Sequence, residues 1–362
     1  MKILCVIDSL GSGGAQRQIV NLAIGLKKRG HDVHVFIYHP HLIFFKKDLD
    51  IFQIPLHSYN KKRVGFSFEL VGSLRRLIKK NRFNIAISFL EGPNIYLILA
   101  SFGLGINSIV SERSSYFEAK NQWVYILKKQ LYRLANFVVS NSETQSDWLV
   151  KTAKLPSKKV VTINNGFEVE QYFPTLKIPK FPQEIALIAI GRVTPVKNLL
   201  VVIEGLNHFY SNYHWIPTIT WVGRCESGAY QSQIKKVLSQ FPIVELHWKW
   251  AQEQDDIPKL IQAYHALILP SLYEGFPNVV CEALLSGRPV LVSDVCDNPR
   301  IVQEGVMGFK FNPNSPEALS DALHKLTVLS PDEWKEMSQS ARAYAEKSLS
   351  IDLLINKFST LF

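Results

Sequence analysis

An alternation of aliphatic runs with segments of helical periodicity limits the folds open to this chain. It begins with an apolar run at residues 2–8, a glycine turn, apolar side chains at helical spacing over residues 15–29, and a second apolar run at residues 33–38. Such runs predict buried parallel strands, and the helical segment between them predicts a crossover connection. The alternation therefore predicts an α/β fold built on doubly wound parallel sheets.

The alternation runs in two series, separated by a segment in which Pro174, Pro179 and Pro182 fall within nine residues. Proline at this density indicates an extended interdomain linker. The expected divisions are a Rossmann-like domain at 1–170, the linker at 171–183, a second Rossmann-like domain at 184–345, and a helix at 346–362 that could pack back on the first domain. Because ligands of open α/β sheets bind beyond the carboxyl ends of the strands, two such domains facing each other predict a site in a central cleft.

Composition excludes several classes of protein. The four cysteines are too few and too scattered for a disulfide framework or a zinc site. The first apolar run is too short for a signal peptide, and the longest apolar stretch, residues 94–106, falls short of the roughly 20 residues that span a bilayer. We therefore expect a cytoplasmic protein that does not cross a membrane.

The net charge of +10 lies almost wholly in the first half of the chain. Residues 1–175 contain 24 Lys and Arg against 12 Asp and Glu, whereas residues 176–362 contain 17 against 19. A basic half could face nucleic acid, an anionic membrane or a phosphorylated substrate. Its cations occur in short groups on predicted helix ends and loops, without a recognisable nucleic-acid module, so nucleic acid is not an expected partner.

The strongest candidate site follows a predicted strand that ends at Pro270. A turn carrying Glu274 leads into a predicted helix, and Glu282 lies one helical turn past its start. Free N–H groups at a helix N-terminus suit an anionic diphosphate, while the two carboxylates can accept vicinal hydroxyls of a sugar and a ribose. A capped helix with two solvated glutamates is the alternative. The turn and first helical turn contribute Gly275, Phe276, Pro277, Asn278 and Val279.

Two further loops carry candidate residues. A basic loop with Arg192 and Lys197 follows the first strand of the second domain, where it would neutralise a diphosphate. A glycine loop with Gly13, Gly14 and Gln16 follows the first strand of the chain, but it lacks the G-x-G-x-x-G spacing of dinucleotide sites.

Arg113 ends a predicted strand in the first domain. An arginine cannot act as a general base near neutral pH, so it would hold a sugar hydroxyl, a donor phosphate or an anionic acceptor. A surface ion pair is the alternative.

Asp48-Leu49-Asp50 matches the D-x-D motif of metal-using transferases, but it lies in a stretch rich in Lys and Phe, away from the predicted cleft. We interpret it as a solvated turn and expect no metal site.

These segments together resemble the large E-x7-E family of retaining glycosyltransferases with the GT-B fold. Glu274 and Glu282 stand at the spacing of that motif, and the segment from Gly191 to Asn198 is similar to the family's G-R-x4-K-N pattern. The glycine loop resembles the family's G-G-A-E loop, with Gln16 where Glu is common. Arg113 stands where many relatives have a histidine near the donor sugar.

The resemblance implies a retaining, metal-independent transfer of a sugar, without a cofactor. Arg192, Lys197, Glu274 and Arg113 would act in catalysis, and the other motif residues would bind the donor. It implies a nucleotide-sugar donor, with a UDP-sugar favoured, and a glycan or polyprenyl-diphosphate-linked acceptor. It also implies a role in envelope polysaccharide assembly, at the inner face of the cytoplasmic membrane. A weaker match adds Asn165 on a hinge loop beside the donor. From their places at the ends of predicted strands, Gly223 is a further donor-site candidate and Trp250 could line the base pocket, with packing in the core or at its rim as the alternative for Trp250.

Two other activities of the fold and one different class are the alternatives. A sugar-nucleotide epimerase would share the donor motifs but transfer nothing to an acceptor. A phosphorylase would need a lysine-bound pyridoxal cofactor. The different class is a basic protein that binds nucleic acid or membrane without catalysis. Turnover of donor that depends on an acceptor would distinguish the transferase from all three.

Overall fold

The computed structural model describes residues 1–118, 121–174, 178–179, 184–225, 228–254 and 256–362. The chain divides into two units, Met1–Gly166 with Ile351–Phe362, and Phe167–Ser350. The sequence-based boundary at residue 346 falls inside a helix that continues to Ser348, because its apolar face still packs into the core at Ala345. Part of the predicted linker, residues 175–177 and 180–183, lies outside the described residues.

The first unit is built on a parallel sheet. Its described strands are β1 (Lys2–Val6), β2 (Asp32–Ile37), β3 (Leu56–Ser58), β4 (Ile85–Phe89), β5 (Asn107–Glu112), β6 (Phe137–Ser140) and β7 (Val160–Thr162). They lie in the order β3-β2-β1-β4-β5-β6-β7, with Cys5 opposite Val35 on one side and Ile87 on the other. The strand order reverses between β1 and β4, and such a switch point is where ligands bind in open α/β sheets.

The connections of this sheet are helical. They are α1 (Gly14–Lys28), α2 (Lys46–Ile51), α3 (Phe68–Asn81), α4 (Glu91–Ser101), α5 (Gln122–Gln130) and α6 (Glu143–Lys151). Helix α1 buries Ile19, Leu22 and Leu26 on one face, as its periodicity predicts. The prediction of a solvated turn at residues 48–50 is wrong. These residues belong to α2, because Leu49 is buried in the core and Lys46 pairs with Asp50 one turn away at 2.5 Å.

The second unit repeats the architecture. Its described strands are β8 (Ala186–Ile190), β9 (Thr218–Val222), β10 (Trp248–Ala251), β11 (Ala266–Leu269), β12 (Val290–Ser293) and β13 (Gly308–Phe311), and all the pairings between them are parallel. They lie in the order β10-β9-β8-β11-β12-β13, so the switch point falls between β8 and β11. The predicted loop of Arg192 follows β8, and the predicted turn of Glu274 follows β11.

The helices of the second unit cover both faces of its sheet. They are α7 (Leu199–Tyr213), α8 (Gly228–Leu238), α9 (Pro242–His247), α10 (Ile257–Gln262), α11 (Asn278–Leu285), α12 (Asn298–Ile301), α13 (Pro316–Thr327) and α14 (Pro331–Ser348). Helix α8 was not expected from the sequence. Only Ile234 and Leu238 of its residues are buried, so its periodic signal is weak.

The last helix, α15 (Ile351–Ser359), belongs to the first unit. It packs against α1 so closely that a Cβ on Gly25 would lie 2.0 Å from Ile355 Cδ1. Phe358 is fully buried and stacks on Phe89 at 5.9 Å between ring centroids. The helix therefore completes the core of the first unit. Within the described residues, no helix is long and apolar enough to cross a bilayer.

Candidate functional site

The loop after β8 is shaped by a close approach of two glycines. Gly223 has φ +151°, and a Cβ there would lie 2.2 Å from the Gly191 carbonyl oxygen. Gly191 N–H donates to the Val222 carbonyl at 2.9 Å, which ties the start of the loop to the end of β9. Glycine is required because any side chain at position 223 would collide with backbone. The approach brings the ends of β8 and β9 together.

The far end of this loop is tied to its neighbours by Asn198. Its backbone adopts the left-handed conformation, φ 53°, and its side-chain amide donates to the carbonyls of Pro270 at 3.2 Å and Pro313 at 2.8 Å. These carbonyls belong to the segments after β11 and β13. Asn198 therefore holds three strand-end loops in register, which explains an asparagine directly after Lys197.

Lys197 and Glu274, the two central predicted residues, are in contact. Lys197 Nζ lies 2.6 Å from Glu274 Oε1, and Ser271 Oγ donates to the same oxygen at 2.5 Å. The side chains are 19% and 12% exposed, so the pair is shielded from water on most sides while one face stays open. Arg192 lies on the same loop and is exposed. The Lys197–Glu274 pair thus lies at the switch point of the second sheet, and Arg192 precedes Lys197 by five residues on the same loop.

Helix α11 starts directly beyond this cluster. Pro277 precedes its first residue, and no side chain caps its N-terminus. Phe276 is buried in the core and anchors the turn, whereas Val279 is only partly buried. Glu282 accepts a hydrogen bond from the Tyr172 hydroxyl at 3.4 Å. An uncapped helix start that follows the Lys197–Glu274 pair by four residues is suited to an anionic group.

A cavity of about 460 Å³ opens where β8, β9 and β10 end. Its walls include two predicted residues, Gly223 and Trp250, together with Val193, Gln252 and Glu253. Trp250 is 37% exposed, whereas its neighbour Trp248 is buried and stacks on Trp221. The cavity lining therefore combines an aromatic side chain with polar ones, which suits a planar heterocycle.

The predicted residues of the first unit lie at the carboxyl edge of its own sheet. Gln16 folds back over the glycine loop. It donates to Asp8 Oδ1 at 3.0 Å, and a Cβ on Gly13 would lie 2.2 Å from its Oε1. Gly14 is the first residue of α1. Gln18 on the same helix exchanges two hydrogen bonds with Gly166, at 2.8 and 3.0 Å, which fixes the loop that carries Asn165.

Arg113 is not a surface ion pair. Its guanidinium lies 3.9 Å from the ring centroid of Phe89, and one of its nitrogens donates to Asn165 Oδ1 at 2.6 Å. Its other two nitrogens are buried and have no hydrogen-bond partner in the structure. Burial lowers the pKa of Arg113 to about 9, against a smaller opposing effect of Glu112. Arg113 therefore stays charged at neutral pH and cannot serve as a base there.

A buried polar cluster in the first unit was missed by the sequence analysis. Lys129 is fully buried, contacts Glu112, and lies 2.9 Å from Glu91 and 3.2 Å from the Tyr132 hydroxyl. Burial lowers the pKa of Lys129, but the neighbouring carboxylates raise it by more, so the lysine is firmly charged. The cluster anchors the end of β5 beside Arg113. In the sequence, Lys129 follows Lys128 and is typical of a solvated helix end, so no local pattern predicts that it is buried.

Two further residues near the second-unit cluster also escaped prediction. Ser271 and Tyr172 each bind one of the motif carboxylates, Glu274 and Glu282. Ser271 stands directly after the predicted strand and could have been noticed from its place there. No group of three or more potential metal ligands occurs in the described part of the chain.

Two family models match the chain, each over one unit. "Glycosyl transferases group 1" matches residues 176–347, and "Glycosyltransferase Family 4" matches residues 12–171. The chain is 25% identical to a Campylobacter jejuni GalNAc-α-(1→4)-GalNAc-α-(1→3)-diNAcBac-PP-undecaprenol α-1,4-N-acetyl-D-galactosaminyltransferase, over 78% of this chain and 77% of the relative. It is 23% identical to an Escherichia coli UDP-Gal:α-D-GlcNAc-diphosphoundecaprenol α-1,3-galactosyltransferase, over 70% and 69%.

Solved structures share the fold. The Anabaena protein HepE in complex with UDP superposes with a TM-score of 0.83, at 19% identity, over 99% of both chains. The same protein has also been solved with UDP-glucose, at a TM-score of 0.82. These matches agree with the strand order of each sheet and with the loops at each switch point. The chain is a glycosyltransferase with the GT-B fold, and its second unit matches the group 1 family.

Proposed function

We propose that the chain is a retaining glycosyltransferase that moves a sugar from a nucleotide-sugar donor, with a UDP-sugar favoured, to a glycan acceptor linked to polyprenyl diphosphate. It would act without a metal or other cofactor, in envelope polysaccharide or glycan assembly, at the cytoplasmic face of an anionic membrane. The observation that carries the proposal is the shielded Lys197–Glu274 pair at the start of α11. Relatives named for undecaprenol-linked acceptors support the acceptor class.

The donor diphosphate is assigned to the two cations and the helix start. Lys197, Arg192 and the amides at the start of α11 would stabilise the charge that develops as the bond from the anomeric carbon to the diphosphate breaks. The acceptor hydroxyl attacks from the same face, and its proton passes to the departing phosphate oxygen. No nucleophile from the protein is required, so the residues act by positioning and by electrostatics.

The carboxylates are assigned to the hydroxyl groups of the donor. Glu282, held by Tyr172, would accept the ribose hydroxyls, and Glu274 would accept hydroxyls of the sugar. The cavity beside Trp250 would take the base. Glu274 already accepts two hydrogen bonds on one oxygen, so its second oxygen remains for the sugar. Arg113 and the glycine loop are proposed to bind ligand in the first unit.

A thermal-shift panel of UDP-, GDP- and ADP-sugars tests the donor site. A ligand at a hundredfold excess over its Kd stabilises the folded state by about 2.7 kcal/mol, which raises the melting temperature. Glu282→Ala and Lys197→Ala should abolish the shift, whereas Glu336→Ala and Lys335→Ala, exposed on α14, should keep it. An unshifted wild type, or a shift that survives both site substitutions, contradicts the assignment.

Turnover then separates transfer from epimerisation. We expect nucleoside diphosphate to be released only when a polyprenyl-diphosphate-linked glycan is present, and the product to keep the anomeric configuration of the donor by NMR. The rate should be unchanged by EDTA. Epimerised sugar without an acceptor, or an inverted product, would exclude the proposed reaction.

A further inference from the structure

A short loop of the first unit presents apolar side chains directly to solvent. It spans residues 61–67 between β3 and α3 together with Phe68, the first residue of α3, and we call it the 61–68 loop. Val64 is fully exposed, Phe68 is 83% exposed and Phe66 is 49% exposed. Large apolar side chains clustered on a surface mark a site of interaction.

The loop is held in this conformation by Tyr96 on α4. The Tyr96 hydroxyl accepts from Ser67 N–H at 3.1 Å and lies 3.4 Å from the Gly65 carbonyl, to which it donates. The Phe66 ring stacks on the Tyr96 ring at 5.3 Å, and Gly65 supplies the φ of +94° that the turn needs. The backbone of the loop therefore has a defined conformation, and this conformation exposes Val64 and Phe68.

Three cationic residues directly precede this apolar tip in the sequence. Lys62 and Arg63 are exposed, while Lys61 lies over the rings of Tyr38 and Tyr96 at 5.7 and 5.6 Å. On the other side, the carboxylate of Glu69 accepts a hydrogen bond from the Tyr59 hydroxyl at 2.8 Å. The tip thus combines apolar side chains with positive charge.

The loop lies on the functional side of its sheet. It leaves the carboxyl end of β3, and the glycine loop with Gly13 leaves the carboxyl end of β1 in the same parallel sheet. A surface that contacted the tip would therefore lie on the side of the sheet where the first-unit ligand residues are. Phe102, by contrast, follows the far end of α4 and is exposed on the opposite edge.

We propose that the 61–68 loop docks the protein on an anionic phospholipid bilayer. Val64 and Phe68 enter the interfacial region, and Lys62 and Arg63 contact lipid phosphates. Three exposed apolar side chains make a small patch beside a stable protein interface, which uses about 20–30 residues on each partner. Two apolar side chains beside cations are instead the combination that binds an anionic membrane surface. The inference rests on the proposed function, since a lipid-linked acceptor would lie in that bilayer.

Vesicle binding of the full chain tests this surface. The probes are phosphatidylcholine vesicles with and without one third phosphatidylglycerol, measured by flotation at low salt. Lys62→Gln/Arg63→Gln should lower the partition coefficient roughly 30-fold, because each cation near the surface contributes about 1 kcal/mol. Val64→Gln/Phe68→Gln should lower it at least about tenfold. The matched controls, Lys79→Gln/Lys80→Gln and Phe102→Gln, should change it less than about threefold.

Four outcomes overturn the proposal: no binding of the wild type to anionic vesicles, equal binding to neutral ones, loop variants that bind like the wild type, or controls that lose as much. Loss on Trp123→Gln/Leu127→Gln alone would assign docking to the exposed face of α5 instead. The nucleotide-sugar thermal shift is read on the same variants. A normal thermal shift together with vesicle binding that does not depend on the loop contradicts only the docking proposal. The absence of a shift in the wild type contradicts the assignment of the donor site.

Discussion

The Lys197 ammonium lies 2.6 Å from a carboxylate oxygen of Glu274, across 77 residues of chain. Each residue comes from a different strand-end loop, on either side of the point where the strand order of the second sheet reverses. Without a donor, each neutralises the other. A diphosphate arriving at Lys197 would share that cation with Glu274, so under the proposed function the pair would couple the binding of phosphate to the orientation of the carboxylate assigned to the sugar.

Removal of the Lys197 charge should separate catalysis from folding. We expect Lys197→Met to lower kcat about 10²- to 10³-fold, as loss of one group that stabilises a developing anion does. It should also reduce stability by about 1–3 kcal/mol, because Glu274 loses a partner in a shielded position. Steady-state donor turnover and thermal melting measure the two effects.

The double variant Lys197→Met/Glu274→Gln provides the control. It should recover most of the stability, since a neutral amide replaces the unpaired carboxylate, but none of the activity. Recovered activity would mean that Lys197 serves only to compensate Glu274.

Gly223 should tolerate no side chain. Gly223→Ala places a Cβ 2.2 Å from the Gly191 carbonyl oxygen at φ +151°, so we expect a loss of stability of at least about 2 kcal/mol and weaker binding of nucleotide. Gly228→Ala, in the same unit with nothing within 4 Å of its Cβ, should be neutral or slightly stabilising. Melting curves with and without nucleotide compare the two; similar curves would contradict the packing argument.

Arg113 should depend on its shape as well as its charge. Arg113→Lys keeps a cation but loses the planar group that stacks on Phe89 and bonds to Asn165. We expect it to lower kcat/KM at least about tenfold, nearly as much as Arg113→Ala. Arg76→Ala, exposed on α3, is the control. Full activity of Arg113→Ala would show that this arginine has only a structural role.

The stacked pair His34–His57 should make stability depend on pH. His34 Nδ1 lies 2.8 Å from His57 Nε2, and burial lowers the pKa of both rings, despite the opposing effect of Asp32 on His34. The unfolded chain therefore takes up protons first, so stability should fall as pH drops below about 6.5.

His57→Gln should flatten that dependence, while His41→Gln, at an exposed position, should not. Melting temperatures between pH 7.5 and pH 5, at constant ionic strength, provide the comparison. Parallel curves for the wild type and His57→Gln would assign the effect to other groups.

Helix α15 should be essential to the first unit. Phe358→Ala removes a fully buried ring that stacks on Phe89, and we expect a loss of about 3–5 kcal/mol. The amides of β1 and β4 should exchange faster with solvent in the variant. Lys357→Ala, exposed on the same helix, serves as the control; equal exchange in both variants would contradict this role.

The sequence by itself determined the elements and the local geometry of the second-unit site. Strand, glycine turn and helix follow from aliphatic runs and helical spacing. The spacing of Glu274 and Glu282 places the first on the turn before one helix and the second one helical turn inside that helix. These features depend on neighbours within a few residues, so periodicity and turn chemistry are sufficient to predict them. Where periodicity is weak or the segment is short, these local signals are not sufficient. For that reason α8 is not predicted from the sequence, and α2 is misassigned as a turn.

Only the tertiary structure decided which distant residues meet. The pairing of Lys197 with Glu274 depends on the order of strands, which no local pattern specifies. The burial of Arg113 depends on Phe89 and on the return of α15 to the first unit, and Lys129 is buried because Glu112 and Tyr132 surround it. Charge and burial at one position are set by partners brought there from elsewhere in the chain. For that reason Lys129 is an interior cation, although its sequence neighbours indicate a solvated position. Arg113 likewise lies on an aromatic ring rather than in a surface ion pair.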